Sequence, residues 1–304
     1  MFMKTKNRSA IALMITLFFI MALTVTIGLG LKYVKEGANA VNEQSFMLQT
    51  RALLDDFLTM LKTAPQITQI NSADTLTLFL SQASFIPLSE GDTHVLISIQ
   101  SARSKIKPEI LNTILKKEAF LAYLSENGVN RQYLYILDDL ISGIKEDGTY
   151  ESDIFTEHPE LFRNYIASPQ HLEVATKFYE KSFHDNSLAK IHPQDIFYTS
   201  AENNSSDYKL DLNRIGAPIW QILLGCDRQR AEQLHDNAGL YTTTNDLQLS
   251  EDENLSLARF HQNISYYEPY LAIKITIIQN GSKAVISFEY NLESKKGSHF
   301  VFEV

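Results

Sequence analysis

Cysteine is almost absent from this 304-residue chain, since Cys226 stands alone. That excludes an intrachain disulfide and any cysteine-based zinc cage. Glycine (12) and proline (8) are sparse and 44% of residues are hydrophobic, which excludes collagen-like, low-complexity and wholly disordered chains. There is no basic excess either: 27 Lys and Arg stand against 36 Asp and Glu, a net charge of −9. Lys4, Lys6, Arg8, Lys32 and Lys35 face no acid within residues 1–35, so the remainder is more acidic than the whole. An acidic body has no face for phosphates, and no nucleic-acid partner is expected. The sequence also lacks an HExxH pair, a Walker loop, a nucleophile elbow and a dinucleotide fingerprint. The chain is therefore read as no enzyme. An enzyme whose catalytic residues converge from distant positions is the alternative left open.

The first long feature is apolar. No charge falls between Ser9 and Leu31, and the 21 residues from Ile11 to Leu31 are long enough, at about 1.5 Å per helical residue, to span a hydrocarbon core of about 30 Å. Lys4, Lys6 and Arg8 precede this run, so the positive-inside rule holds the short N-terminus in the cytoplasm and exports the body. A removed secretory signal is the competing reading, but its apolar core runs about 7–15 residues. Beyond the span, residues 35–62 contain no proline, and Val41, Phe46, Met47, Leu48, Leu53, Leu54, Phe57, Leu58 and Leu61 recur at helical spacing. Pro65 is the stop signal. One helix of about 50 residues is expected, greasy all round at first and amphipathic later.

A short basic leader followed by a long apolar helix that runs into an amphipathic stalk resembles a type IV pilin or pseudopilin precursor. The resemblance implies that a prepilin peptidase cuts before the apolar run, between Ala10 and Ile11 or after Ser9. Family members normally carry Gly before the cut and Glu at the fifth mature position. Here Ala10 or Ser9 takes the first place and Ile15 or Met14 the second. The K-type minor pseudopilin of the type II secretion system (the general secretion pathway protein K family) characteristically lacks that Glu, and it is this subgroup that the chain resembles.

In the body, residues 94–101 alternate, with Val95, Ile97 and Ile99 on one side, and predict a half-buried strand. Helical patterning then runs from Pro108 to about Gln262, with candidate helices over 108–126, 131–144, 159–166, Pro169–Phe183, Ala217–Leu224 and Arg228–Asp236. Tyr270–Gln279 alternates again, Asn280-Gly281 is a hairpin signal, and strands over 283–290 and 298–304 follow. The expected fold is α+β. A pilin-like long N-terminal helix packs on a small antiparallel sheet, and a large α-helical domain is inserted after the first strand. The expected divisions are a leader at 1–10, a transmembrane helix at 11–31, a periplasmic stalk at 32–64, the first part of the pilin domain at 65–107, the insertion at 108–262 and the closing strands at 263–304. K-type pseudopilins resemble this order. Leu210-Asp211-Leu212-Asn213, the run from Ala217 to Gly225 and Tyr241-Thr242-Thr243-Thr244-Asn245-Asp246-Leu247 are similar to segments of that family around a helix–hairpin–helix-like pair.

Glu146, Asp147, Glu151 and Asp153 surround Gly148, and hard carboxylate oxygens on such a loop are candidate calcium ligands. The resemblance implies calcium in the helical domain too, although Ser142 and Lys145 stand where the family has acids. No other metal or cofactor is expected. His158, His171, His184 and His192 read as exposed or capping residues, and Cys226 as a structural thiol. The 14 tyrosines and 17 phenylalanines read mostly as core, with some free to line a docking face. The resemblance implies a minor pseudopilin anchored by one pass in a bacterial inner membrane, with its body in the periplasm. It would start or cap the tip of a short filament that drives protein export. Its implied partners are the I-type and J-type minor pseudopilins, the major pseudopilin and the prepilin peptidase. A minor pilin of a type IV pilus is the further alternative.

Overall fold

The computed structural model describes residues 42–146, 148–199, 208–279 and 282–303. The leader, the cleavage pair Ala10 and Ile11, the apolar run 11–31 and the stalk up to residue 41 lie outside them. Among the described residues no helix is long and apolar enough to cross a membrane. The chain divides into two compact units, one drawn from Met1–Ala102 with Pro269–Val304 and the other from Arg103–Glu268. The second is an insertion in the first.

The first unit opens with helix α1 (Asn42–Thr63). Of the stripe the sequence predicts, Leu54, Phe57 and Leu61 are buried and Leu53 and Leu58 half-buried, but Leu48, expected on it, is exposed. Pro65 ends this helix and opens a one-turn helix, Pro65–Thr68, in which its missing N–H costs nothing. Helix α2 (Ala73–Ala83) follows, started by a capping box between Ser72 and Thr75, and it buries Leu76, Phe79 and Ala83. The strands are β1 (Phe85–Glu90), β2 (Thr93–Ser101), β3 (Tyr270–Gln279), β4 (Ser282–Asn291) and β5 (Lys296–Glu303). They form one five-stranded antiparallel sheet in chain order, and the whole second unit leaves and returns between β2 and β3.

Register explains the core of this unit. Ile97 pairs with Ile275 and Ile275 with Ile286, while Ile99 pairs with Ile273 and Ile273 with Phe288. Side chains on directly paired residues share a face, so these rows form one apolar surface, and all of them are buried. Phe57 of α1 meets it edge-on, its ring 6.4 Å from that of Phe288. Asn280 and Gly281 lie outside the described residues, but Gln279 and Ser282 on either side of them are paired.

Strand β1 corrects the expectation that the insertion follows the first strand: it follows the second. Pro87 within Phe85–Glu90 masked this strand in the sequence, yet β1 is an edge strand, where a residue without N–H is tolerated. Gly91, at φ +57°, turns the chain into β2.

The second unit holds α3 (Ile114–Glu126), α4 (Gln132–Ile141), α5 (Pro169–Phe183), α6 (Ala217–Leu224), α7 (Arg228–Asp236) and α8 (Glu251–Ala258). Residues 108–126 do not form one helix, because Pro108–Ile110 makes a 3-10 turn and α3 starts only after Thr113. Residues 159–166, expected as a helix, form turns and bends, and one helical turn sits upstream at Ile154–Glu157. Helices α5, α6 and α7 keep the expected bounds because each has a start signal: Ser168 before Pro169, Pro218 in the first turn, and Asp227 accepting from the Arg230 N–H. Gly225, left-handed at φ +66°, closes α6. The core is a single apolar cluster that includes the fully buried Trp220, Tyr133, Tyr179, Phe120 and Phe260.

Candidate functional site

Three places in the helical unit carry concentrated polar chemistry, and each was marked in the sequence by at least one residue. The first is the acidic loop after α4. Glu146, Glu151 and Asp153 are exposed, and Asp147 lies outside the described residues. Their neighbour Asp139, on the buried side of α4, organises the loop. One of its carboxylate oxygens accepts from the Glu151 N–H at 3.0 Å, and the other from the Ser152 N–H and hydroxyl, both at 2.7 Å. The Lys145 ammonium stands 3.6 Å from the first oxygen and donates to the Thr149 carbonyl at 3.0 Å. Tyr150 forms the loop's second anchor. Its hydroxyl accepts from the Lys145 N–H at 3.0 Å and from Arg163 at 3.2 Å. The Arg163 guanidinium also lies 4.2 Å from the centre of the Phe155 ring. Among the described residues no three His, Cys, Asp or Glu side chains gather where they could hold a metal ion.

The second place is Asn213, which follows the two-residue strand Leu210–Asp211. Its side chain is buried and uses its whole hydrogen-bonding capacity. The amide nitrogen donates to the carbonyls of Tyr241 and Tyr266, each at 2.7 Å. The amide oxygen accepts from the N–H groups of Gly239 at 2.8 Å and Tyr241 at 3.0 Å. One residue thus joins the segment before α6, the loop after α7 and the segment before β3. Asp211 beside it accepts from the N–H groups of Asn213 and Glu268. Burial pushes its carboxyl up to about 7, against the opposing pull of Arg214.

The third is the hairpin Gly225-Cys226-Asp227. Cys226 is half-buried, and burial pushes its thiol up to about 11, with Glu253 adding to the effect. A thiol so protonated is a poor nucleophile. Arg230 ties α7 to α8 through Glu253 at 3.1 Å and to the carbonyls of Leu247 and Gln248 at 3.0 and 2.9 Å. Further along, Asp246 caps its own turn. The N–H and hydroxyl of Thr242 and the N–H of Thr243 hold its carboxyl down at about 2.

The histidines do not come together. His158 pairs with Glu160 at 3.3 Å, and His184 and His192 hold left-handed positions at helix ends. His171 is buried rather than exposed, and desolvation lowers its pKa. Neither Asp139 nor Lys145 was singled out as a ligand of the loop from the sequence. Asp139 sits in an Asp-Asp pair on an otherwise apolar helix, which is the signal that marks it as special.

No protein-family model matches the sequence, and no curated protein matches it. Among solved structures, a chain of the GspK–GspI–GspJ complex of the enterotoxigenic Escherichia coli type 2 secretion system matches at 11% identity and a TM-score of 0.59. The match covers 86% of this chain and 95% of that one. The likeness spans both units, and the chain described here has the fold of a subunit of that secretion complex.

Proposed function

We propose that this chain is a K-type minor pseudopilin of a type II protein secretion system, a subunit that acts by assembly and not by catalysis. The observation that carries this reading is the fold likeness over nearly the whole of both chains. In this chain that fold is an amphipathic helix and an antiparallel meander, with a helical unit inserted between neighbouring strands. The leader is removed after Ala10 or Ser9, and the apolar run 11–31 holds the chain in the bacterial inner membrane with its body in the periplasm. The stalk, through α1, packs among neighbouring stalks, while the first unit keeps the buried part of α1 in place through Leu54, Phe57 and Leu61. An insertion as large as Arg103–Glu268 would block another subunit from stacking above it. It fits the filament tip, where nothing stacks above. There the chain starts or caps the filament with I-type and J-type minor pseudopilins, above the major pseudopilin.

The test is co-expression of the tagged, full-length chain with the I-type and J-type minor pseudopilins of its own genome, followed by extraction and size-exclusion chromatography. Co-elution as one complex, with loss of protein export when the gene is deleted, is the expected result. Independent elution of the three chains with intact export refutes the proposal, and loss of a surface pilus in the deletion strain points instead to a type IV pilus.

A further inference from the structure

The loop after α4 invites a metal ion by composition, yet its described oxygens already have a cation among them. Lys145 reaches back from the loop so that its ammonium lies 3.6 Å from a carboxylate oxygen of the fully buried Asp139. It donates at 3.0 Å to the Thr149 carbonyl and stands 5.1 Å from the centre of the Tyr150 ring. A carboxylate oxygen and a backbone carbonyl are the ligand types that calcium uses. The remaining lone pairs of Asp139 are taken by the N–H groups of Glu151 and Ser152 and by the Ser152 hydroxyl. A divalent ion brought to these oxygens would displace those donors and sit beside a fixed positive charge. The exposed carboxylates of Glu146, Glu151 and Asp153 do not converge with them.

We propose that Lys145 is the built-in cation of this loop: its ammonium does the bridging that calcium would do between Asp139 and the Thr149 carbonyl, so the loop folds without divalent metal. A metal-bound loop couples its order to cation supply, because the site rarely exists before the ion binds. A loop closed by its own lysine is ordered wherever the unit folds. The carboxylates of Glu146, Glu151 and Asp153 are then solvated groups on its rim. The inference does not depend on the pseudopilin reading.

The experiment uses the full chain in detergent and three variants, Lys145→Gln, Lys145→Arg and Asp139→Asn. Each is melted in EGTA and in millimolar calcium, with Trp220 fluorescence as the signal and limited proteolysis across residues 143–153 in parallel. The wild type is expected to melt at the same temperature in both buffers and to resist cleavage in EGTA. Lys145→Gln and Asp139→Asn are expected to lower the midpoint by roughly 2–8 °C in EGTA and to open the loop to protease, whereas Lys145→Arg, which keeps the charge, stays near the wild type. A wild-type midpoint that rises with calcium overturns the proposal. So does a Lys145→Gln variant as stable and as protease-resistant as the wild type, or a Lys145→Arg variant as damaged as Lys145→Gln.

Discussion

Asn213→Asp is the most telling single change in the helical unit. The two side chains have nearly the same shape, so packing stays constant while hydrogen bonding does not. The carboxylate still accepts from the N–H groups of Gly239 and Tyr241. It cannot donate, so the carbonyls of Tyr241 and Tyr266, now bonded at 2.7 Å each, lose their partners and face a negative charge instead. An unsatisfied buried polar group costs about 1–3 kcal/mol, and a buried unpaired charge adds to that. The expected loss is roughly 3–6 kcal/mol, a large share of a typical stability of about 5–15 kcal/mol. The assay is urea denaturation followed by tryptophan emission. The chain has one tryptophan, Trp220, fully buried in this unit and 6.1 Å from the Tyr241 ring, so the signal reports the unit itself. Protonation returns one donor to the variant, so its deficit should narrow as pH falls. A loss below about 1 kcal/mol, or a deficit that does not change with pH, refutes the keystone role of Asn213.

Three further outcomes follow from the same geometry. Phe57→Ala removes the ring that meets Phe288 at 6.4 Å and should cost the sheet unit about 3–5 kcal/mol, read as faster hydrogen exchange in β3 and β4; exchange unchanged from wild type contradicts the packing of α1 on the sheet. Asp211 keeps its proton to about pH 7 in the folded chain, whereas the unfolded chain releases it near 3.8. Its contribution is therefore full below the lower value and lost as pH rises through the higher one. Asp211→Asn should flatten this fall of Trp220-monitored stability between pH 4 and pH 7, a span worth on the order of a few kcal/mol; a variant whose pH profile parallels wild type refutes it. Cys226, with its thiol pushed up to about 11, should react with a thiol reagent at pH 7 about a hundredfold more slowly than in urea, and equal rates in the two states would show an accessible thiolate.

Much of the fold was legible because local signals agreed with tertiary demands. Ala217–Leu224 has Pro at its start and Gly225 at its end, and Tyr270–Gln279 alternates without interruption, so start, stop and period coincide. Phe85–Glu90 was missed because Pro87 argues against a strand until one knows that this strand lies at the edge. Ala73–Ala83 went unread although Ser72 and Thr75 announce its start and Leu76, Phe79 and Ala83 share one face. Residues 159–166 carry helical spacing in Leu161, Phe162 and Ile166, but Phe162 packs locally on Tyr165 at 4.7 Å in a non-helical turn.

The polar sites were legible only in part, since their partners are distant in the chain. The resemblance picked out Asn213, but its ligands at 239, 241 and 266 are set by the packed fold. The acidic loop drew attention through its exposed carboxylates. Its order rests on Asp139, twelve and thirteen positions from the backbone groups it holds, and on Lys145, whose role a composition count cannot show.

The central claim, that this chain is a pseudopilin subunit, turns on how its N-terminus is processed. The direct measurement is the intact mass of the membrane-extracted chain expressed with and without a prepilin peptidase. A pseudopilin precursor loses residues 1–10, or 1–9, only when the peptidase is present, and keeps its apolar run. A chain left whole in both cases, or cut after the apolar run near Gly30, contradicts the pseudopilin assignment.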